Sequence, residues 1–115
     1  DTTQLYCQVP IPMITAILGG SIDVPTLGGG RARVSIPQGT QNAHHFRLRG
    51  KGMPASRGGS KGDMYIEVLV ETPVNLTDKQ RELLREFEEN GGKNNSPETD
   101  GFFTKVKELW DDLRD

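Results

Sequence analysis

Through the first seventy residues the apolar side chains fall mainly at every second position, as "LYCQVPIP" shows at the start. Leu5, Cys7, Val9 and Ile11 take one side and Tyr6, Gln8, Pro10 and Pro12 the other, the period of a half-buried strand. The two prolines each remove a ladder donor, which places this strand at a sheet edge. "MITAILGG" interrupts the alternation and predicts a short helical turn stopped by Gly19 and Gly20. "SIDVPTL" and "RARVSI" predict strands around the turn Gly28-Gly29-Gly30, with Ile22, Val24, Ala32, Val34 and Ile36 inward. "HHFRLR" turns Phe46 and Leu48 inward and His45, Arg47 and Arg49 outward. "DMYIEVLVET" is the longest strand, with Met64, Ile66, Val68 and Val70 on one face.

The period then changes. Thr77, followed three residues later by Gln80, has the signature of a capping box and opens the helix "DKQRELLREFEEN", which Gly91 and Gly92 close. A polar segment follows, with residues 93–100 as linker, and "GFFTKVKELWDDLRD" forms a last helix from residue 101. On it Phe102, Phe103, Val106, Leu109, Trp110 and Leu113 recur at spacings of three and four as one broad apolar stripe. At about 25 cal/mol per Å² of apolar area, covering six such side chains is worth several kcal/mol, so the stripe demands a partner surface. That surface is either the chain's own β-rich part or a second copy, and the periodicity fits both.

Composition fits a single domain. The chain has 115 residues, of which 33% are hydrophobic, and its 14 glycines and 7 prolines suit short strands and many turns. No stretch reaches the roughly 18 apolar residues a membrane span needs, and no signal-peptide pattern opens the chain. One cysteine allows no internal disulfide, in keeping with a reducing compartment. The first strand begins almost at once, which suggests a piece of a longer protein.

Charge changes the picture more. Val24 to Gly62 carries no acid but seven basic residues, Arg31, Arg33, Arg47, Arg49, Lys51, Arg57 and Lys61, whereas Asp63 to Asp115 carries fourteen acids against seven basic residues. A basic sheet region invites an anionic partner, but the net charge of −2 lacks the footprint of a nucleic-acid binder. No aromatic residue interleaves the charges from Arg47 to Lys61, so the stacking platforms of single-strand binding are missing from the sequence there.

Nor does "FRLRGKGMPASRGGSKGD" hold a nucleotide. A P-loop needs Ser or Thr after Gly-Lys, and Lys51 is followed by Gly52; the segment joins two strands, so its glycines read as turn residues. His44 and His45 are adjacent and point to opposite faces, which rules out joint chelation and, with one distant cysteine, a zinc site. Cys7 reads as a small core hydrophobe. No arrangement of nucleophile, base and acid appears, so no catalysis is expected.

Taken in order, "LYCQVPIPMITAILGGSIDVPTL", "IPQGTQ", "FRLRGKGMP", "GD", "VETPVNLTDKQRELLREF" and "FFTKVKELWDDL" resemble the C-terminal part of the bacterial DnaJ family of J-domain co-chaperones. The resemblance covers essentially the whole chain. It implies a mainly β fold: a small β-sandwich of short strands, the family's second C-terminal β-domain over residues 1–76, then a capped helix at 77–92, the linker at 93–100 and a terminal dimerisation helix at 101–115. It resolves the partner of the last helix in favour of a homodimer, with Phe102, Phe103, Val106, Leu109, Trp110 and Leu113 at the interface. It further implies unfolded client polypeptides as partners, delivery to DnaK, a cytoplasmic stress-response setting and, for the full-length family, roles in DNA replication.

The family's His-Pro-Asp tripeptide and C-x-x-C-x-G-x-G repeats do not occur in these residues, so contact with DnaK and the zinc of the family belong to segments outside them, and no cofactor is expected here. By analogy with the family's first β-domain, where a client adds along an edge strand beside an apolar groove, the resemblance nominates Val9, Ile22, Val24 and Phe46 for client contact, although the same residues read as core. Two other readings compete with the co-chaperone fragment. One is a nucleic-acid-binding β-module using the basic region 31–61; the other is a structural spacer that dimerises and binds nothing.

Overall fold

A computed structural model describes residues 3–54, 59, 61–92 and 94–114. The chain divides into two units, Asp1–Val74 and Asn75–Asp115. The first holds strands β1 (Leu5–Pro12), β2 (Gly20–Pro25), β3 (Arg31–Ile36), β4 (His45–Leu48) and β5 (Met64–Glu71), with helix α1 (Met13–Leu18) after β1. The second holds α2 (Asp78–Glu89) and α3 (Pro97–Arg114). The fold is the mainly β arrangement with C-terminal helices that the sequence predicts.

Among the described residues, five strands make two sheets. One has the order β1-β5-β4, with β1 parallel and β4 antiparallel to β5; the other is the antiparallel pair β2-β3. The prolines of β1 therefore lie on an edge strand, where a missing donor costs least. The core is one cluster: Ile11, Met64, Ile66 and Val68 from the first sheet, Val24, Val34 and Ile36 from the second, and Ala16 from α1. Ile66 and Val68 on the central strand are wholly buried. Gly19 ends α1 at φ 82°, with its amide bonded to the Thr15 carbonyl at 2.8 Å, and lets the chain swing into β2.

Cys7 departs from the sequence reading. It lies on the face of β1 that carries Leu5, Val9 and Ile11, yet it is exposed. Its cross-strand neighbour Ile66 has strands on both sides and is covered, whereas the edge position of β1 leaves Cys7 open on one flank.

The glycines of the β4–β5 connection also differ in role. Rather than serving turns alone, Gly52 and Gly62 sit where three backbone segments meet. The Gly52 amide donates to Gly62 O at 2.9 Å, Gly62 to Met53 O at 3.0 Å, Met53 to Thr3 O at 2.8 Å, and Leu5 to Asp63 O at 2.9 Å. A Cβ at Gly52 would run into the Asp63 and Thr3 carbonyl oxygens, and one at Gly62 into Thr3. Arg57 lies outside the described residues.

In the second unit, Thr77 and Gln80 form the capping box reciprocally: Gln80 N donates to Thr77 Oγ1 at 3.1 Å and Thr77 N to Gln80 Oε1 at 2.9 Å. Helix α3 begins at Pro97, four residues before the start read from the sequence. Proline is pre-set for the first helical position and Glu98 and Asp100 suit the positive end of the helix, so the helix absorbs the end of the polar segment.

The close approach at Gly52 makes a test. Gly52→Ala is expected to cost about 1–3 kcal/mol in urea unfolding, while Gly28→Ala, with open space around its Cβ position, should stay within about 0.5 kcal/mol of the parent. Equal effects would remove the steric role given to Gly52.

Candidate functional site

The outward face of the three-stranded sheet is built in rows by strand register. Tyr6, Tyr65 and Arg47 lie across β1, β5 and β4 in one row, and Gln8, Glu67 and His45 in the next. The Tyr6 and Tyr65 rings stack at 5.3 Å between centroids, and the Arg47 guanidinium lies 5.9 Å from the Tyr65 ring centre. Glu67 accepts from Gln8 Nε2 at 2.8 Å and stands 3.4 Å from His45 Nε2. Gln8 first, and His45 second, hold the Glu67 carboxyl below its ordinary range. An aromatic pair thus stands beside a cation after all. The sequence reading missed it because Tyr65 is eighteen residues from Arg47 and becomes its neighbour only through antiparallel pairing.

Arg47 is not a free cation. It grips Asp63 Oδ2 with Nε at 2.7 Å and Nη2 at 2.6 Å, while the Gly50 amide donates to Asp63 Oδ1 at 2.9 Å. The Gly50 amide first and the Arg47 guanidinium second hold the Asp63 carboxyl below its ordinary range. Arg33 likewise faces Asp23 at 3.4 Å. Two arginines of the basic region 31–61, Arg33 and Arg47, are therefore occupied by acids of the chain. His44 stacks edge-on to Phe46 at 4.8 Å, whereas His45 is in the outer row, and among the described residues no three acids, histidines or cysteines group as metal ligands.

The nominated client residues lie on the inner sides of the sheets. Val24 is 4% exposed and belongs to the core, while Val9, Ile22 and Phe46 are partly buried and pack against it. Apolar surface is open instead on α1 and after β2, at Ile14, Ile17, Leu18 and Leu27. The helical spacing of Ile14, Ile17 and Leu18 was the signal for it, but one turn is too short to show which side faces water.

On α3 the apolar stripe stands open. Phe102, Phe103, Leu109, Trp110 and Leu113 are all exposed, Val106 is half-buried, and neither α2 nor α3 has a buried residue. Phe102 and Phe103 meet edge to face at 5.2 Å. On α2, Leu83, Leu84 and Phe87 are exposed too. No helix of the described residues is long and apolar enough to cross a membrane.

Sequence comparison adds the decisive observation. The DnaJ C terminal domain family matches residues 1–73, and the family described as the chaperone protein DnaJ C-terminal region matches residues 79–112. The chain belongs to the DnaJ C-terminal domain family. It is 62% identical to the chaperone protein DnaJ of Rhodospirillum centenum over 115 residues, all of this chain and 30% of that protein. It is 60% identical to that of Roseobacter denitrificans, over 99% of this chain and 29% of the relative, and 57% to that of Paramagnetospirillum magneticum, over 100% and 31%. This DnaJ C-terminal chain thus spans about 30% of the length of the curated relatives it matches. Its family is one of protein-folding chaperones, and the "GD" of the family resemblance contains Asp63, the carboxylate that closes the β4–β5 connection.

A carboxylate lowered by folding contributes stability above its unfolded value, near pH 4, and loses it as pH falls through the lower folded value. Unfolding free energy should therefore fall between about pH 5 and pH 3, and Asp63→Asn should flatten that slope. An unchanged slope in the variant would mean that the Arg47–Asp63–Gly50 contacts carry no pH-linked stability.

Proposed function

We propose that this chain is the dimerising, client-holding C-terminal part of a DnaJ-type co-chaperone. The observation that carries the reading is the open stripe of α3. Five large apolar side chains, Phe102, Phe103, Leu109, Trp110 and Leu113, face water along one helix with Val106 among them, and such an exposed patch marks an association surface. Phenylalanine and tryptophan are typical anchors of such contacts. A second copy of the helix offers an equal stripe, and a two-fold contact between the two would cover both at once.

The function then follows from tethering. Two β-units held at one point present two apolar surfaces to one extended chain, and the second contact forms at high effective concentration. The client surface in this reading is Ile14, Ile17 and Leu18, exposed on α1, together with the partly buried Val9, Ile22 and Phe46, while Val24 lies in the core. Holding unfolded polypeptide requires no bond-making, so the chain acts without catalysis and without a cofactor of its own. In the longer protein, a J-domain would pass clients to DnaK in the cytoplasm, and zinc would belong to the cysteine-rich segment.

Sedimentation equilibrium at micromolar concentration tests the dimer. The chain should sediment as a dimer, and Phe103→Ser with Trp110→Ser should weaken the association by at least about 2 kcal/mol while the β-unit keeps its circular dichroism. A monomeric parent chain would refute the α3 contact. Client holding is read separately by light scattering of a denatured enzyme. Ile14→Ser with Leu18→Ser should reduce protection several-fold and leave the dimer intact; undiminished protection would move the client surface elsewhere.

A further inference from the structure

We propose that the hollow between the β2–β3 turn and the β4–β5 connection is an oxyanion site, built for a phosphate or carboxylate group. The hollow has a volume of about 440 Å³, within the size range of small-ligand sites. Arg31, Lys51 and Lys61 line it from three separate stretches of chain, together with Gly28, Gly30 and Leu27, and among the described residues no acid does.

The electrostatics point the same way. Arg33 and Arg47 each have a carboxylate partner, but among the described residues Arg31, Lys51 and Lys61 have none. Three unneutralised cations around one hollow repel one another, and an anion placed among them relieves that repulsion. Hydrogen-bond donors are at hand as well: the Gly28 and Gly30 amides, on either side of Gly29, whose own amide donates to Thr26 O at 3.1 Å, donate to no partner among the described residues. Two of the cations are held in register, because Lys51 and Lys61 flank Gly52 and Gly62, whose backbones are bonded at 2.9 Å. Among the described residues no aromatic side chain lines the hollow, so the stacking surface that would suit a nucleic-acid base is not provided by them.

The same chemistry is carried by a free phosphate and by an acidic stretch of polypeptide, and one experiment separates them. The ¹⁵N-labelled chain is titrated at constant ionic strength with inorganic phosphate, with a hexaglutamate peptide and with an oligothymidylate, reading amide shifts. Saturable shifts confined to Gly28, Gly30, Lys51 and Lys61 are expected with phosphate, the peptide or both. Tighter binding of the peptide assigns the site to polypeptide; equal or tighter binding of phosphate assigns it to a small anion. Arg31→Gln, Lys51→Gln and Lys61→Gln, all at exposed positions, should each weaken binding about tenfold, the loss of one charge-assisted hydrogen bond. Shifts that never saturate, or that spread equally to Arg33, Arg47 and Arg49, overturn the proposal. So does binding of the oligothymidylate alone, which would make this a nucleic-acid surface.

Discussion

Everything in the β-unit depends on β5 finding β1 and β4 at once. It is the only strand of the first sheet with a neighbour on each side, and its inward residues Met64, Ile66 and Val68 supply three of the eight buried core residues. Its parallel partner ends at Pro12 and β5 itself starts at Met64, so both the pairing and the core await a residue far along the chain. Such non-local pairing pays its loop-closure entropy before contacts repay it. The Thr3, Gly52, Gly62 and Asp63 junction sits at the mouth of this sheet. It joins the start of β1 to the start of β5 through backbone bonds that tolerate no added side chain.

With so small a core, the distribution of apolar side chains becomes informative. Among the described residues, the β-unit encloses all eight buried hydrophobic core residues, while α2 and α3 enclose none and carry eight exposed large hydrophobic side chains, Val106 being half-covered. A capping box and first-turn acids give these helices sound ends, but their apolar faces lack cover. Stability of such helices normally comes from tertiary packing, and these open faces are what the proposed association would cover.

Much of this was legible in the sequence because it rests on local periods. Alternation placed the strands, and Thr77 with Gln80 placed the start of α2, since a capping box is complete within four residues. What was not legible depended on neighbours brought from elsewhere. Cys7 carries the right phase for burial but sits where the edge strand leaves a flank open. Tyr65 joins Arg47 only through pairing, and the crowding at Gly62 comes from Thr3, nearly sixty residues away. The start of α3 was local and still missed, because a polar stretch reads as linker unless Ser96-Pro97-Glu98 is weighed as a helix opening. For the candidate surfaces, residue type was legible while exposure was not: Val24 and Ile14 are both aliphatic, and only the fold separates the buried one from the open one.

The clasp around Asp63 also bears on how the chain could change length. Arg47, Gly50 and Asp63 lock together below the connection, and Gly52 with Gly62 seals its base. The ends of the connection are therefore joined whatever lies between Met53 and Lys61. Lengthening a closed loop costs only about 0.6 kcal/mol per doubling. This stretch is accordingly the place where the domain can accept an insertion, natural or engineered, with its strand register left intact.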